Sequence, residues 1–416
     1  MKRIDRWFLI SLLLIQVNFF DLINIRTSFL NSLMSYSSKK FLLLIVILYF
    51  LLRMPYRRSI GVFSFTIMLT LVITILVSIG TILKFSQGII ATLFVSYYFA
   101  ILILYYPMVK AYDTWEKWHN LIKIFAIFGF VLSISKIIQS FALSKFHVLV
   151  FFLNTNLDYN TATSLNHMFG GFTRIPSATD FVAISLVLIF VFKMHKDNLF
   201  SQKKDIFLIS TDLFYLFFVG QTRSYQLLVV VVAIVYTFLA IKKSKTTNFM
   251  KLFFVLFLIF SLPIVIVFLK KQFLNSDRSV SISIRQEELR YYLSKIYYSH
   301  WFSLGFIREG LYSKLLHGPN YSAINTTMTG YALDDVGIVG FLGRFGLAGV
   351  PIMVSLFVQT INSFFKTNYR DETTILLVIL FGSWISTSLF DPQRIFYMPI
   401  LLAFMSFLAT TNEGEI

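Results

Sequence analysis

The run YALDDVGIVGFLGRFGLAG, residues 331 to 349, sets two adjacent carboxylates, Asp334 and Asp335, ahead of an arginine, Arg344, about two helical turns deeper. A partly buried carboxylate beside bound substrate gains proton affinity, which suits it to act as general base towards a hydroxyl. At a helix N-terminus the same acidic pair simply complements the dipole, and spacing alone leaves both readings open. Arg344 sits in an apolar, glycine-rich stretch, where a charge is expensive unless it meets a partner or a wet cavity. Adjacent carboxylates also suit a divalent metal, but no further acidic cluster supports one, so no metal or other cofactor is expected.

A second group of cations precedes this run. The segment SISIRQEELRYYLSKIYYSHWFSLGF, residues 281 to 306, reads as a helix beside the membrane. Ser283 with Gln286 fits a capping box, and Leu289, Tyr292 and Ile296 form an apolar stripe. Arg285 lies on the striped face, suited to clamp a phosphate or to pair with Glu288, while Arg290 points well away from it. Tyr291, Tyr292, Tyr297, Tyr298 and Trp301 are rings that stack on sugars or line a membrane interface.

Two shorter stretches add charges. GQTRSYQ, residues 220 to 226, is a tight turn centred on Arg223, either a snorkelling anchor or a cation facing an inner cavity. NHMFGGFTRIPSATD, residues 166 to 180, joins the pair Gly170 and Gly171, Arg174, Pro176 and Asp180 at the mouth of the next helix, with Ser177 or Thr179 as its cap and His167 as a loop polar residue. Asp180 is either a substrate contact or a capping carboxylate. Asp212, and Asp391 with Arg394, are charges in or next to apolar runs whose default role is helix pairing.

The elements that position these residues are membrane spans. With 416 residues, 57% hydrophobic and only 14% charged, the chain lies outside any soluble class. The net charge of +17 does not signal nucleic acid, because Lys and Arg sit mostly in short connections, as topology signals and lipid anchors. Cysteine is absent, so disulfides and thiolate metal sites are excluded. Apolar runs near 7–25, 38–53, 60–83, 88–106, 119–139, 178–194, 206–219, 224–241, 250–269, 336–359, 373–390 and 394–410 predict an all-α polytopic protein of about 12 spans. Three parts follow: helices over 1–269, a large polar loop over 270–335, and the last helices with a short tail over 336–416. Basic residues mark every second connection, among them Arg53, Arg57 and Arg58, Lys203 and Lys204, and Lys242 and Lys243. By the positive-inside rule these connections and both termini are cytoplasmic, and the long loop is extracytoplasmic. No internal repeat of the kind common in secondary transporters is visible.

A short turn with Arg223, a long loop with an Arg-bearing helix ending at Gly305 and Phe306, then a Gly-rich helix: in this the chain resembles the bacterial O-antigen polymerase and ligase superfamily, in particular Wzy-type repeat-unit polymerases. The resemblance covers nearly the whole chain in architecture, with loose motifs at 220–226, 281–306 and 331–349. It implies a metal-independent, inverting glycosyltransferase fold of the C type in the bacterial cytoplasmic membrane. The partners it implies are undecaprenyl-diphosphate-linked oligosaccharides and membrane lipids, with a chain-length regulator left open. Diphosphate-binding arginines carry over best to Arg223 and Arg285, then to Arg290 and Arg174; Asp180, Tyr292 and Arg344 are substrate-binding candidates. The family often has His with Asn where this chain has Asp334 and Asp335, which leaves His317 as a spare base. His is more typical of ligases, so its absence there favours a polymerase over a ligase, with a polysaccharide flippase as the third alternative.

Overall fold

A computed structural model describes residues 3–21, 40–53, 61–151, 168–169, 171–195, 198–243, 276–299, 301–310, 312–319, 321, 330–386 and 388–411. Its helices, in chain order, are α1 (Arg3–Gln16), α2 (Lys40–Arg53), α3 (Ser64–Phe85), α4 (Ile89–Ser96), α5 (Tyr105–Ala111), α6 (Trp115–Phe146), α7 (Thr179–His195), α8 (Gln202–Phe214) and α9 (Arg223–Lys243). They continue with α10 (Ser276–Ser299), α11 (Ser313–His317), α12 (Gly337–Phe345), α13 (Gly349–Lys366), α14 (Arg370–Ser386) and α15 (Tyr397–Thr410). A 3-10 stretch over Tyr97–Leu104 fuses α4 to α5, and a π turn over Tyr215–Gly220 ends α8. The described strands are a two-residue pair, β1 (Met168–Phe169) and β2 (Phe172–Thr173), antiparallel about Gly171 at φ +83°.

Helix α3 shows why this all-α fold belongs in a membrane. Met68, Val72, Ile75, Leu76, Ile79 and Leu83 are all exposed, on one face at helical spacing. Thr66, Thr70, Thr74 and Thr81 are buried on the other. Thr70, Thr74 and Thr81 return their hydroxyls to the carbonyls of Thr66, Thr70 and Val77, so these buried hydroxyls are satisfied within the helix. In water, each exposed aliphatic side chain forgoes about 1.5–3 kcal/mol of burial; in hydrocarbon it forgoes none. Among the described residues five helical stretches are long and apolar enough to cross a membrane: Ser64–Phe85, Ile89–Ala111, Trp115–Phe146, Arg223–Lys243 and Gly337–Lys366. The remaining sequence-predicted spans rest on shorter helices, except the one at 250–269, which lies outside the described residues.

The centre is built from α6 packed along α7, with α7 also against α9 and α14. Aromatic stacking fixes this core, as between Phe125 and Phe181, or Trp118 and Phe404. A smaller second core of Tyr292, Leu304, Ile307, Leu333 and Val336 seats α10, α11 and the segment around residue 333 against the Phe85 end of α3. This is the described part of the polar loop; residues 270–275, 300, 311, 320 and 322–329 lie outside the described residues.

Two local expectations change. Helix α10 begins at Ser276, so Ser283 stands inside it and the capping box with Gln286 is not its start. Its buried positions include Glu288 and Tyr292, whereas Leu289, expected on the inward stripe, is 40% exposed. Docking onto the small core, which takes Glu288 inward, decides the face that periodicity assigned to Leu289.

Candidate functional site

The last long apolar run is broken. Between α12 and α13 the chain makes a 3-10 turn over Gly346–Ala348, opened by Gly346 at φ +61°. Breaking the helix frees backbone groups that hydrocarbon cannot satisfy. The segment 301–306 satisfies them: Leu304 N donates to Gly343 O and Gly305 N to Arg344 O, both at 3.0 Å, while Ala348 N donates to Trp301 O at 3.3 Å. That segment is tied to the end of α3 in turn. Phe306 N donates to Thr81 Oγ1 (2.9 Å), Gln87 Nε2 to Phe306 O (2.9 Å) and Lys84 Nζ to Ser303 O (3.2 Å).

The break aims Arg344 at a fixed place. Its Nη1 donates to Tyr98 Oη at 2.9 Å and its Nη2 to Asp334 Oδ1 at 3.0 Å. A parallel trio lies alongside, where Arg394 pairs with Asp391 and donates through Nε to Tyr225 Oη at 2.6 Å. The two trios touch, because Arg394 Nη1 reaches the Asp334 carbonyl at 3.5 Å. Each guanidinium thus holds one carboxylate and one phenol, and the cluster is balanced in charge. Rigid donors of this kind require no reorganisation when an anion arrives.

Beside the Arg344 trio opens a cavity of about 420 Å³, within the range of small-molecule sites. Asp334, Arg344, His317, Arg308 and Glu309 supply its polar wall, and Phe94, Tyr97 and Tyr98 its aromatic one. The aromatic wall belongs to α4 and the stretch after it, and α4 exposes Ile89, Ile90, Leu93 and Phe94 on its outer side. A polar, anionic group can enter this cavity while an attached apolar chain stays on the face of α4.

His317 is poised by its neighbours. Its Nδ1 lies 2.7 Å from Tyr331 O and its Nε2 3.2 Å from Glu309 Oε1, two acceptors that favour the imidazolium. The hydrogen bond that His317 donates to Glu309 raises the His317 pKa and lowers that of Glu309. The pair therefore loses its contribution as pH rises through the raised His317 value, and also as pH falls through the lowered Glu309 value. We expect Glu309→Gln to move the His317 midpoint down in pH, read from the imidazole C2 proton by NMR. An unmoved midpoint would remove Glu309 as the cause.

Glu288 titrates for a different reason. Oε1 accepts from Ala332 N at 3.2 Å, while Oε2 is buried without a partner. Burial pushes this carboxyl up to about 7 from its ordinary 4.5. Folded protein then holds a proton that the unfolded chain has released, so stability falls as pH rises from about 4.5 to about 7. Limited proteolysis of the segment after α10 should be faster at pH 8 than at pH 5, and Glu288→Gln should abolish the difference.

Asp334, Arg344 and His317, singled out in the sequence, are thus brought together. Asp335 is exposed and its charge acts on Glu288, away from the cavity lining. Arg285 is half-buried on α10 with its charge acting on Glu288, and Arg290 is exposed; neither lines the cavity. Tyr292 is fully buried and donates to Leu316 O at 2.7 Å, and Tyr291 donates to Leu315 O at 2.9 Å, so both hydroxyls pin α10 to α11. Arg174, Asp180 and Arg223 do not line the cavity either. Asp180 accepts from Phe181 N and from Tyr397 Oη, next to a space of about 10 Å³ shared with Gln16, Asn18 and Ser177. His167 and Gly170 lie outside the described residues. Sequence reasoning missed Tyr98 and Arg308. A phenol inside an apolar span and a cation just past the Gly305–Phe306 stop were the available signals. No protein-family model and no curated protein matches this chain.

Proposed function

We propose that the chain is a membrane glycosyltransferase that polymerises undecaprenyl-diphosphate-linked oligosaccharide repeat units into a cell-surface polysaccharide. In this reading about 12 spans cross the bacterial cytoplasmic membrane, both termini are cytoplasmic, and the cavity faces outward. The observation that carries it is a cavity that meets Asp334, Arg344, Arg308 and His317 on one side and the lipid-facing α4 on the other. That combination suits a substrate with a charged head and a prenyl tail. Arg308 offsets the charge of the diphosphate, Asp334 accepts the proton of the attacking sugar hydroxyl, and Arg344, left with the excess charge as Asp334 is neutralised, adds to it; His317 is the alternative base once it has lost its own proton. The hydroxyl oxygen bonds to the anomeric carbon of a second repeat as the bond to undecaprenyl diphosphate breaks, with inversion. Most of the rate comes from positioning two bound sugars and stabilising the leaving group.

A ligase that passes finished polymer to an acceptor is the second reading, favoured by His317 in the cavity wall. Deletion separates the readings. Loss of a polymerase leaves a single lipid-linked repeat on the outer leaflet, and loss of a ligase leaves long polymer on the lipid. Loss of a flippase strands the repeat on the inner leaflet. Mass spectrometry of extracted lipid-linked sugars, with a leaflet assay, reads all three, and either of the last two patterns would refute polymerisation.

A further inference from the structure

Asp212 of α8 is completely buried among α6, α7 and the π turn. Ser133 Oγ of α6 donates to its Oδ1 at 2.6 Å, but its Oδ2 is buried with no partner. Ser185 Oγ on α7, also 0% exposed, lacks one too. Gly129 of α6 stands between them: a Cβ built there would lie 3.0 Å from Ser185 Oγ and 3.5 Å from Asp212 Oδ2. A side chain there would crowd Ser185, so glycine lets the α6 backbone come close to both orphaned oxygens.

A lone carboxylate in so dry a place is strongly disfavoured unless a cation neutralises it. Among the described residues Asp212 joins no ion pair. The titratable groups along the adjoining elements are Glu116, Lys117, His119, Lys123, Lys136 and Lys145 on α6, Asp180, Lys193 and His195 on α7, Lys203, Lys204 and Asp205 on α8 itself and Tyr215 on the π turn. None of them bonds to Asp212: Asp180 accepts from Tyr397, Asp205 meets Lys193 at 3.6 Å, and Tyr215 donates to Ile175 O at 3.0 Å. Intramembrane carboxylates that face a bundle interior mark ion and proton sites, and π turns cluster at functional positions. We propose that Asp212, Ser133 and Ser185 form an intramembrane site for one monovalent cation, a proton or a sodium ion, where α6 makes its close approach at Gly129. One carboxylate matches one charge, and an all-oxygen shell suits either ion. The site is separate from the Asp334 cavity and does not rest on the glycosyltransferase reading.

Thermal unfolding of the purified full chain in detergent, followed by tryptophan fluorescence, tests this in sodium chloride against choline chloride and at acidic against alkaline pH. A bound ion stabilises the folded state by mass action. If sodium is the ion, sodium raises the wild-type midpoint by on the order of 2 °C over choline. If the ion is a proton, acidification raises it relative to Asp212→Asn and sodium does nothing. Asp212→Asn loses the response in either case, and Gly129→Ala, whose Cβ displaces the Ser185 hydroxyl, loses the sodium response. Should Asp212→Asn fail to fold, Ser185→Ala and Gly129→Ala carry the comparison. A wild type that tracks the variants at every salt and pH overturns the proposal.

Discussion

Polymer is expected to vanish from cells carrying Arg344→Ala while the variant still reaches the membrane. The guanidinium spends two donors at 2.9 and 3.0 Å on Tyr98 and Asp334, so alanine leaves a phenol and a carboxylate facing each other without their cation. Removing one partner of a well-buried pair costs about 3–5 kcal/mol, and the partial exposure of this one, 17% and 33% for the two side chains, places it at or below the lower end. Arg344→Lys keeps the charge but cannot hold both partners in the fork geometry. Its expected loss is about 10²–10³-fold in polymer formation, the scale of one preorganised donor removed from a transition state. The double variant Arg344→Ala with Asp334→Ala separates folding from chemistry. It recovers part of the melting temperature, because no orphaned carboxylate remains, but no polymer. A normal polymer ladder from Arg344→Ala would sink the assignment of this cavity as the site.

Gly346→Ala is expected to be strongly destabilising. The position needs φ +61°, and the new Cβ would lie 2.5 Å from Trp301 O and 2.7 Å from Ser303 N. Both are backbone atoms of the segment that satisfies the broken helix, so relief means pulling that segment away. At least one of the bonds Leu304–Gly343, Gly305–Arg344 and Ala348–Trp301 is then lost in a place where water does not replace it. We expect a cost of about 3 kcal/mol or more, from the left-handed backbone and one or two unmet polar groups. Gly343→Ala is the comparison, since its Cβ would press at 2.8 Å only on Leu333 Cδ2, the far end of a flexible side chain. Melting temperatures should separate the two clearly, and equal losses would show that the junction does not depend on its backbone stitching.

Hydropathy alone made the helical membrane architecture legible, because lipid-facing runs such as 60–83 carry no competing signal. The glycines and charges of 331–349 marked the region that the cavity occupies. The partners of Arg344 were only half legible. Asp334 is close in sequence, but Tyr98 stands 246 residues away and reads as any aromatic in a span. The arginines on α10 and at the head of α9 drew attention as phosphate-binding candidates, yet cavity lining depends on how α11 and the 301–310 segment fold back, which no periodicity encodes. Helix α10 misled for a physical reason. Its face is chosen by docking, and docking buried the carboxyl of Glu288 in place of Leu289.

The bonds that tie Phe306 to Thr81 and Gln87 bear on synthesis. Thr81 meets its partner across 225 residues of chain, so α3 enters the bilayer long before the group that completes its end exists. At about 5–20 residues per second the ribosome takes roughly 10–45 s to supply it. During that interval the nascent amino-terminal half must keep a raw polar edge open beside the translocon, ready for a latecomer, and any chaperone that guards this chain should be found waiting at that edge.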